Sequence, residues 1–341
     1  MRSLHWQRVS RFGLTALFAV ICILAGLPLA GLLYQMAGKR RDRTRMPPPG
    51  RMVELHGRRT HVVERGAGMP VVLEAGIAGT SLGWTLIDKP LAADARVVSY
   101  DRAGLGWSDS SESPCTAAQA AAELRETLSA AGIPAPYILV GHSYGGLIVR
   151  HYAATYSDEV AGVVLVDPVD PREWFPLSES QARRLRRGVS LSRRGALLAR
   201  FGLVRLALAI LASGRTRLPR LIARMSAGRG ASVTERLTGE IRKLPPETWP
   251  MIRMHWSDEK CFATMAEYLE RLPESVAMTR GDRVPEHIPT ILLTAPRVEP
   301  ETAIGVVHRP AMRGGHWIQL DEPELVIEAV RELITTATKR V

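Results

Sequence analysis

Short apolar runs that end in turn residues alternate with segments of helical period along most of the chain. "PVVLEAG" (Pro70 to Gly76), "ARVVSYD" (Ala95 to Asp101), "PYILVG" (Pro136 to Gly141), "VAGVVLVDP" (Val160 to Pro168) and "PTILLTA" (Pro289 to Ala295) read as buried strands. Between them, Thr80 to Asp94, "TAAQAAAELRETLSAAG" (Thr116 to Gly132) and "GLIVRHYAATY" (Gly146 to Tyr156) read as helices, the second with Thr116 as cap and Gly132 as stop. Parallel neighbours need a crossover, so this alternation predicts an α/β chain with helices on both faces of a mostly parallel sheet. Ahead of it, "RMVELHGRRTHVVERG" (Arg51 to Gly66) predicts two strands around a His56-Gly57 turn.

The alternation stops after Pro168 and resumes at Pro289, with no convincing strand between. So long an interruption predicts a helical subdomain. Its stretch "GALLARFGLVRLALAILA" (Gly195 to Ala212) is apolar on most sides with arginines spaced through it, which fits a buried cap helix or an amphipathic helix facing a membrane. The last element, Glu322 to Lys339, carries Pro323 in its first turn and an apolar stripe of Val326, Ile327, Val330, Leu333 and Ile334; Asp321 is its expected cap.

Phe12 to Tyr34 contains no charge. As a helix it would reach about 34 Å, against a hydrocarbon thickness of about 30 Å. Arg2, Arg8 and Arg11 before it would also suit a secretory signal, but the run exceeds the usual apolar core of one, and "GKRRDRTR" (Gly38 to Arg45) follows as a stop. An uncleaved membrane anchor is the expectation. Both flanks are basic, so the positive-inside rule assigns no sidedness. "MPPPG" (Met46 to Gly50) then predicts a stiff spacer holding the next domain off the membrane.

In a chain of 341 residues, 46% of them hydrophobic, there is ample material for a large core. The formal charge of +11 would raise nucleic acid as a partner if it were spread over a face. Instead it concentrates in Lys39 to Arg45, beside the expected bilayer, and between Arg172 and Arg229, with no RNA-binding motif or zinc-finger spacing. Membrane lipid is the expected partner and nucleic acid is not. Three cysteines (Cys22, Cys115, Cys261) make no disulfide framework, and without a His-Glu-x-x-His or Cys-x-x-Cys pair no metal site is expected.

Candidate chemistry centres on Gly141-His142-Ser143-Tyr144-Gly145, between a strand and a helix. A serine thrown above a sheet edge on a sharp turn brings the entering strand almost onto the departing helix, so only small residues fit two before and two after it. A serine hydroxyl needs a base, usually a histidine held by a carboxylate. Of nine histidines, His316 lies in "GGHWIQLDEPELV", a glycine-flanked loop before the final helix, and is the preferred base.

"VVLEAGIAGTSLGW", "VVSYDRAGLGWSD", "YILVGHSYGGLIVRHYA", "VAGVVLVDP" and "GGHWIQLDEPELV", in this order, resemble the α/β-hydrolase superfamily, in particular bacterial serine esterases and lactonases, over residues about 50 to 341. The resemblance implies an eight-stranded, mostly parallel sheet with a lid inserted after the sixth strand. The corresponding division is 1–45 anchor and basic segment, 46–168 first part of the core, 169–285 helical lid, and 286–341 second part of the core. It implies a nucleophile at Ser143, a base at His316, and an oxyanion hole from the N–H groups of Tyr144 and Ile77. The commonest pattern has an acid after the seventh strand, where this chain has only Glu299 and Glu301 in "TAPRVEPET". Haloalkane dehalogenases place it after the sixth strand, where Asp167 stands; Asp167 is the first choice and Glu299 the alternative. Ala75-Gly76 replaces the common His-Gly, so a side-chain hydrogen bond that steadies the oxyanion loop is missing, and Asp101 and Arg102 read as turn scaffold. The expected reaction is cofactor-free hydrolysis of small-molecule carboxylic esters, and the basic, partly apolar lid suggests lipid-like or anionic ones. A lyase or perhydrolase with the same serine constellation, or a non-catalytic binding protein of this fold, are the rivals.

Overall fold

The computed structural model describes residues 26–212, 242–296, 305–313 and 315–339. Eight strands form one sheet: β1 (Arg51–Leu55), β2 (Arg58–Arg65), β3 (Pro70–Glu74), β4 (Arg96–Tyr100), β5 (Tyr137–His142), β6 (Val160–Val166), β7 (Thr290–Thr294) and β8 (Val306–Pro310), in the order β1-β2-β4-β3-β5-β6-β7-β8. The β1–β2 and β2–β4 pairs are antiparallel and the remaining pairs parallel. The hairpin turns at His56-Gly57, both with positive φ.

Because strand side chains alternate between faces, the β-branched and leucine runs feed two cores. Val72, Leu139 and Val163 face one side, where α3 (Ala117–Ala130) and α4 (Tyr144–Thr155) bring Leu124, Leu128, Leu147 and Ile148. Val71, Leu73, Ile138, Val140, Val164 and Val166 face the other, where α2 (Thr85–Leu91) and α12 (Pro323–Thr338) bring Ile87, Leu91, Val326, Val330 and Leu333. Each such side chain contributes about 1.5–3 kcal/mol of burial, which fixes the strands' register and thereby the position of their C-terminal ends. Thr116 caps α3 through the Gln119 N–H, as its sequence predicts. Asp321 does not cap α12: it ends the short helix α11 (Ile318–Asp321) and instead accepts the Gly315 N–H, while Glu322 occupies the cap position.

The chain between β6 and β7 holds, among the described residues, only helices: α5 (Pro171–Trp174), α6 (Glu179–Arg200), α7 (Leu203–Ala212), α8 (Trp249–Trp256), α9 (Glu259–Glu270) and α10 (Leu272–Thr279), besides a 3-10 turn. The apolar run Gly195 to Ala212 is not one helix. It breaks at Gly202, which has φ +72°, and α6 and α7 meet at 86°.

Residues 26–45 form the helix α1. The spacer expectation fails here, because α1 does not stand away from the rest of the molecule. It lies on the inserted helices: Arg205 of α7 pairs with Asp42 and donates to Gln35 Oε1 at 2.8 Å, Gln35 donates to the Ser257 carbonyl at 2.8 Å, and Lys39 pairs with Asp258 at 3.0 Å. The close approach depends on Gly31 and Gly38, where a Cβ would come within 2.5 Å of the Phe201 carbonyl and of Arg205 Nε. After it, residues 46–50 fold back, Pro49 giving its carbonyl to His61 and Met46 its carbonyl to Trp107. Among the described residues no single helix is long and apolar enough to cross a membrane; residues 12–25 of the expected span lie outside them.

Candidate active site

β5 ends at His142 and α4 begins at Tyr144, so Ser143 alone makes the turn, at φ +54° and ψ −118°. Such a φ is costly for a residue with a Cβ and persists only where the surroundings hold it. Here the Ser143 N–H is held by the Val166 carbonyl and its own carbonyl accepts from Gly146 and Val169, each at 3.0 Å. The glycines are dictated by contact: a Cβ on Gly141 would lie 2.5 Å from the Gly145 carbonyl, and one on Gly145 would lie 2.4 Å from the Glu74 carbonyl.

The structure brings His316 to this turn. Ser143 Oγ donates to His316 Nε2 at 2.9 Å, and His316 Nδ1 donates to Asp167 Oδ2 at 2.6 Å. The partners fix the tautomer, since a carboxylate only accepts. Asp167 follows β6 directly, with φ +41°, and its other oxygen accepts the Ala295 N–H at 3.0 Å. Burial pushes the Asp167 carboxyl up, but the bonds from His316 and Ala295 outweigh it and hold the group below the usual carboxylate value. Glu299, the alternative acid, lies outside the described residues.

His142 points away from Ser143, as its place beside the serine implies. It is buried, donates from Nε2 to the His316 carbonyl at 2.8 Å, and lies tilted against the rings of His316 and Trp317, with centroids at 4.8 and 5.1 Å. Burial, with the neighbouring His316, lowers its pKa to about 3, so it stays neutral and props the His316 loop.

The N–H groups of Ile77 and Tyr144 find no acceptor among the described residues. Tyr144 is the first residue of α4, where backbone donors have no partner within the helix, and Ile77 lines the same cavity as Ser143. The loop carrying Ile77 is not left loose by the absence of His-Gly. Buried Arg102 donates from Nη1 to the Ala75 carbonyl and from Nη2 to the Gly76 carbonyl, each at 2.6 Å, while pairing with buried Glu74. Sequence reasoning missed this clasp. The one signal was an arginine two residues past the end of β4, the strand beside β3.

Ser143, Asp167, His316 and Ile77 line a cavity of about 750 Å³ that runs under the inserted helices, its wall including Trp174, Leu185, Leu269 and Leu272. Cys115 and Cys261 are free thiols, both pushed up to about 12 chiefly by burial, and neither lines it.

A family model described as the alpha/beta hydrolase fold matches residues 69–249, more than half of the 341, and the chain belongs to that family. The uncharacterized protein YqjL of Bacillus subtilis (strain 168) is 40% identical over 106 residues, 30% of this chain and 40% of its own. Among solved structures, the epoxide hydrolase CorEH without ligand superposes with a TM-score of 0.61 at 18% identity, covering 84% of this chain and 98% of its own. A thermophilic esterase from Thermogutta terrifontis, malate bound, gives 0.55 at 20% identity, with 84% and 98% covered. At such identities the two structures show the fold, and the chain spans only about 40% of the length of the Bacillus relative.

Proposed function

We propose that the protein is a serine hydrolase that cleaves carboxylic esters through an acyl-enzyme, held at a membrane by its N-terminal segment. The observation that carries the reading is the unbroken chain of hydrogen bonds from Ser143 Oγ through His316 to Asp167, at 2.9 and 2.6 Å, opening on a cavity. Ser143 Oγ attacks the ester carbonyl carbon as His316 Nε2 takes its proton, and Asp167 holds the imidazole in that tautomer and offsets its charge. The carbonyl oxygen, now an oxyanion, meets the free N–H groups of Ile77 and Tyr144; each such donor contributes about a hundredfold or more in rate. The C–O bond then breaks, His316 returns the proton to the leaving alcohol, and a water activated by the same ring hydrolyses the acyl-enzyme.

An epoxide hydrolase or dehalogenase reading is disfavoured by residue type, since those members attack with an aspartate where this chain has Ser143. Two features support the membrane location. The uncharged run from Phe12 leads into α1, and the exposed Leu27, Leu29 and Leu33 of α1 accompany the exposed Leu203, Leu206 and Leu211 of α7. The function is tested with the full chain in detergent. A fluorophosphonate probe is expected to modify Ser143, read by peptide mass, and p-nitrophenyl octanoate to show a burst followed by turnover. A wild-type protein that is neither labelled nor active on any ester of an acyl-length panel would falsify it. Partition of the full chain into the soluble fraction after cell lysis would overturn the membrane part.

A further inference from the structure

Of the charged groups lining the cavity that the hydrolytic steps leave unused, Arg150 has buried side-chain nitrogens without an acceptor among the described residues. It lies on α4, seven residues after Ser143. At about 100° and 1.5 Å per residue this is about 20° short of two full turns, so it sits on the same side of the helix, about 10 Å further along. Its side chain lines the cavity that contains Ser143, Asp167 and His316. Nε and Nη2 are buried and meet no acceptor among the described residues.

The two carboxylates that act on it, Asp170 and Asp282, are engaged elsewhere. Asp170 is gripped by Arg172, from Nη2 at 2.7 Å and Nε at 3.1 Å, and Asp282 accepts from His151 Nδ1 at 2.7 Å. Both attract Arg150 without touching it, and burial, the larger effect, still lowers its pKa. A guanidinium does not shed its proton to escape that cost, so the site is a charged fork without its complement. Besides the charged Arg172, Glu173, Arg280, Arg283 and Glu286, the cavity wall carries the apolar Leu165, Val169, Leu185, Leu269 and Leu272.

We infer that Arg150 is an anion-recognition residue, and that the substrates are esters whose acyl chain carries a distal carboxylate, the apolar chain lying along these side chains with the scissile carbonyl at Ser143. The carboxylate would displace Asp170 or Asp282 from no existing bond to Arg150, so its pairing is gained without a competing loss. This inference rests on the serine-hydrolase reading and refines its substrate class.

The test compares mono-p-nitrophenyl suberate with p-nitrophenyl octanoate, of equal carbon count and differing in the terminal charge, on the full chain and on Arg150→Gln and Arg150→Lys. Arg150→Gln is expected to lower kcat/KM for the suberate half-ester by about 10- to 100-fold, the range for a hydrogen bond to a charged group, mainly through KM. Octanoate turnover should change less than about threefold, and Arg150→Lys should restore part of the suberate rate. Equal losses on both esters, or none on either, would overturn the inference while leaving the hydrolase intact. A wild type neither labelled at Ser143 nor active on octanoate removes the hydrolase reading itself. If Ser143 is labelled but neither ester turns over, free suberate should slow that labelling in the wild type and not in Arg150→Gln, and absence of protection also overturns the inference.

Discussion

The described residues contain three histidine–aspartate pairs, His151–Asp282 among them, and the other two differ sharply in what surrounds them although their geometry is nearly the same. His316 Nδ1 meets Asp167 at 2.6 Å and His61 Nδ1 meets Asp101 at 2.8 Å. In the first pair the far nitrogen faces a hydroxyl that can give up a proton, and the ring is 39% exposed to the cavity. In the second the far nitrogen is stopped by the Pro49 carbonyl, neither side chain is exposed, and Trp107 lies against the ring at 4.8 Å. Asp101 also accepts the Ser81 and Trp107 N–H groups, at 2.8 and 3.0 Å; burial pushes the other way, yet the carboxyl is held down at about 2. The same two side-chain types therefore tie loops together in one place and hold a serine hydroxyl in another. What differs is the third atom and the access to it.

That contrast is tested most severely at the third atom. Ser143→Ala is expected to remove ester turnover by about 10⁴-fold or more, leaving what binding and oxyanion donors supply, with the melting temperature little changed in a thermal scan. Asp167→Asn should cost about 10³- to 10⁴-fold in kcat by releasing the tautomer, whereas Glu299→Gln should keep wild-type turnover; the reverse pattern would transfer the acid role. Asp101→Asn should do the opposite of Asp167→Asn. It breaks a fully buried pair, so about 3–5 kcal/mol of stability should go in a urea titration, while kcat of the folded enzyme falls less than about tenfold.

Arg102→Lys sharpens the comparison from the oxyanion side. The ammonium keeps a charge beside Glu74 but loses the fork that grips two carbonyls, and kcat should fall about tenfold with KM nearly unchanged in steady-state kinetics. The smallest effect concerns pH. The folded protein declines to protonate His142 until about pH 3, while the unfolded chain takes that proton near 6.5. The stability that the neutral His142 contributes is thus complete above 6.5 and lost as pH falls toward 3. His142→Gln should flatten that acid limb by at most about 1.4 kcal/mol per pH unit, measured by denaturation at several pH values.

Much of the sheet is legible because its signals are local: the apolar runs at Val71, Ile138 and Val163 end in turn residues, and Gly141 and Gly145 announce a tight strand–helix junction. Asp167 and His316 are legible as chemistry at strand ends, though the 2.6 Å between them depends on β6 and the loop before α11 converging across 149 positions of sequence. Arg102 and Arg150 were opaque for a different reason. One needs β3 and β4 adjacent before its grip on Ala75 and Gly76 exists, and the other is unremarkable on α4 until the cavity closes around it. The packing of α1 on the inserted helices was not legible either, because an uncharged run followed by basic residues says nothing of Asp42 meeting Arg205. Composition likewise hides the corner at Gly202, since leucines continue on both sides of it.

The grip of α1 on α7 means that the N-terminal helix and the inserted helices have one mechanical fate. A chain begun at Met46 would strand Arg205 as a lone cation among side chains packed to receive a carboxylate, and would strip Asp258 of its lysine. Any pull transmitted along the N-terminal helix is therefore shared between the inserted helices, through Arg205 and Asp258, and the sheet, through the Pro49 carbonyl on His61.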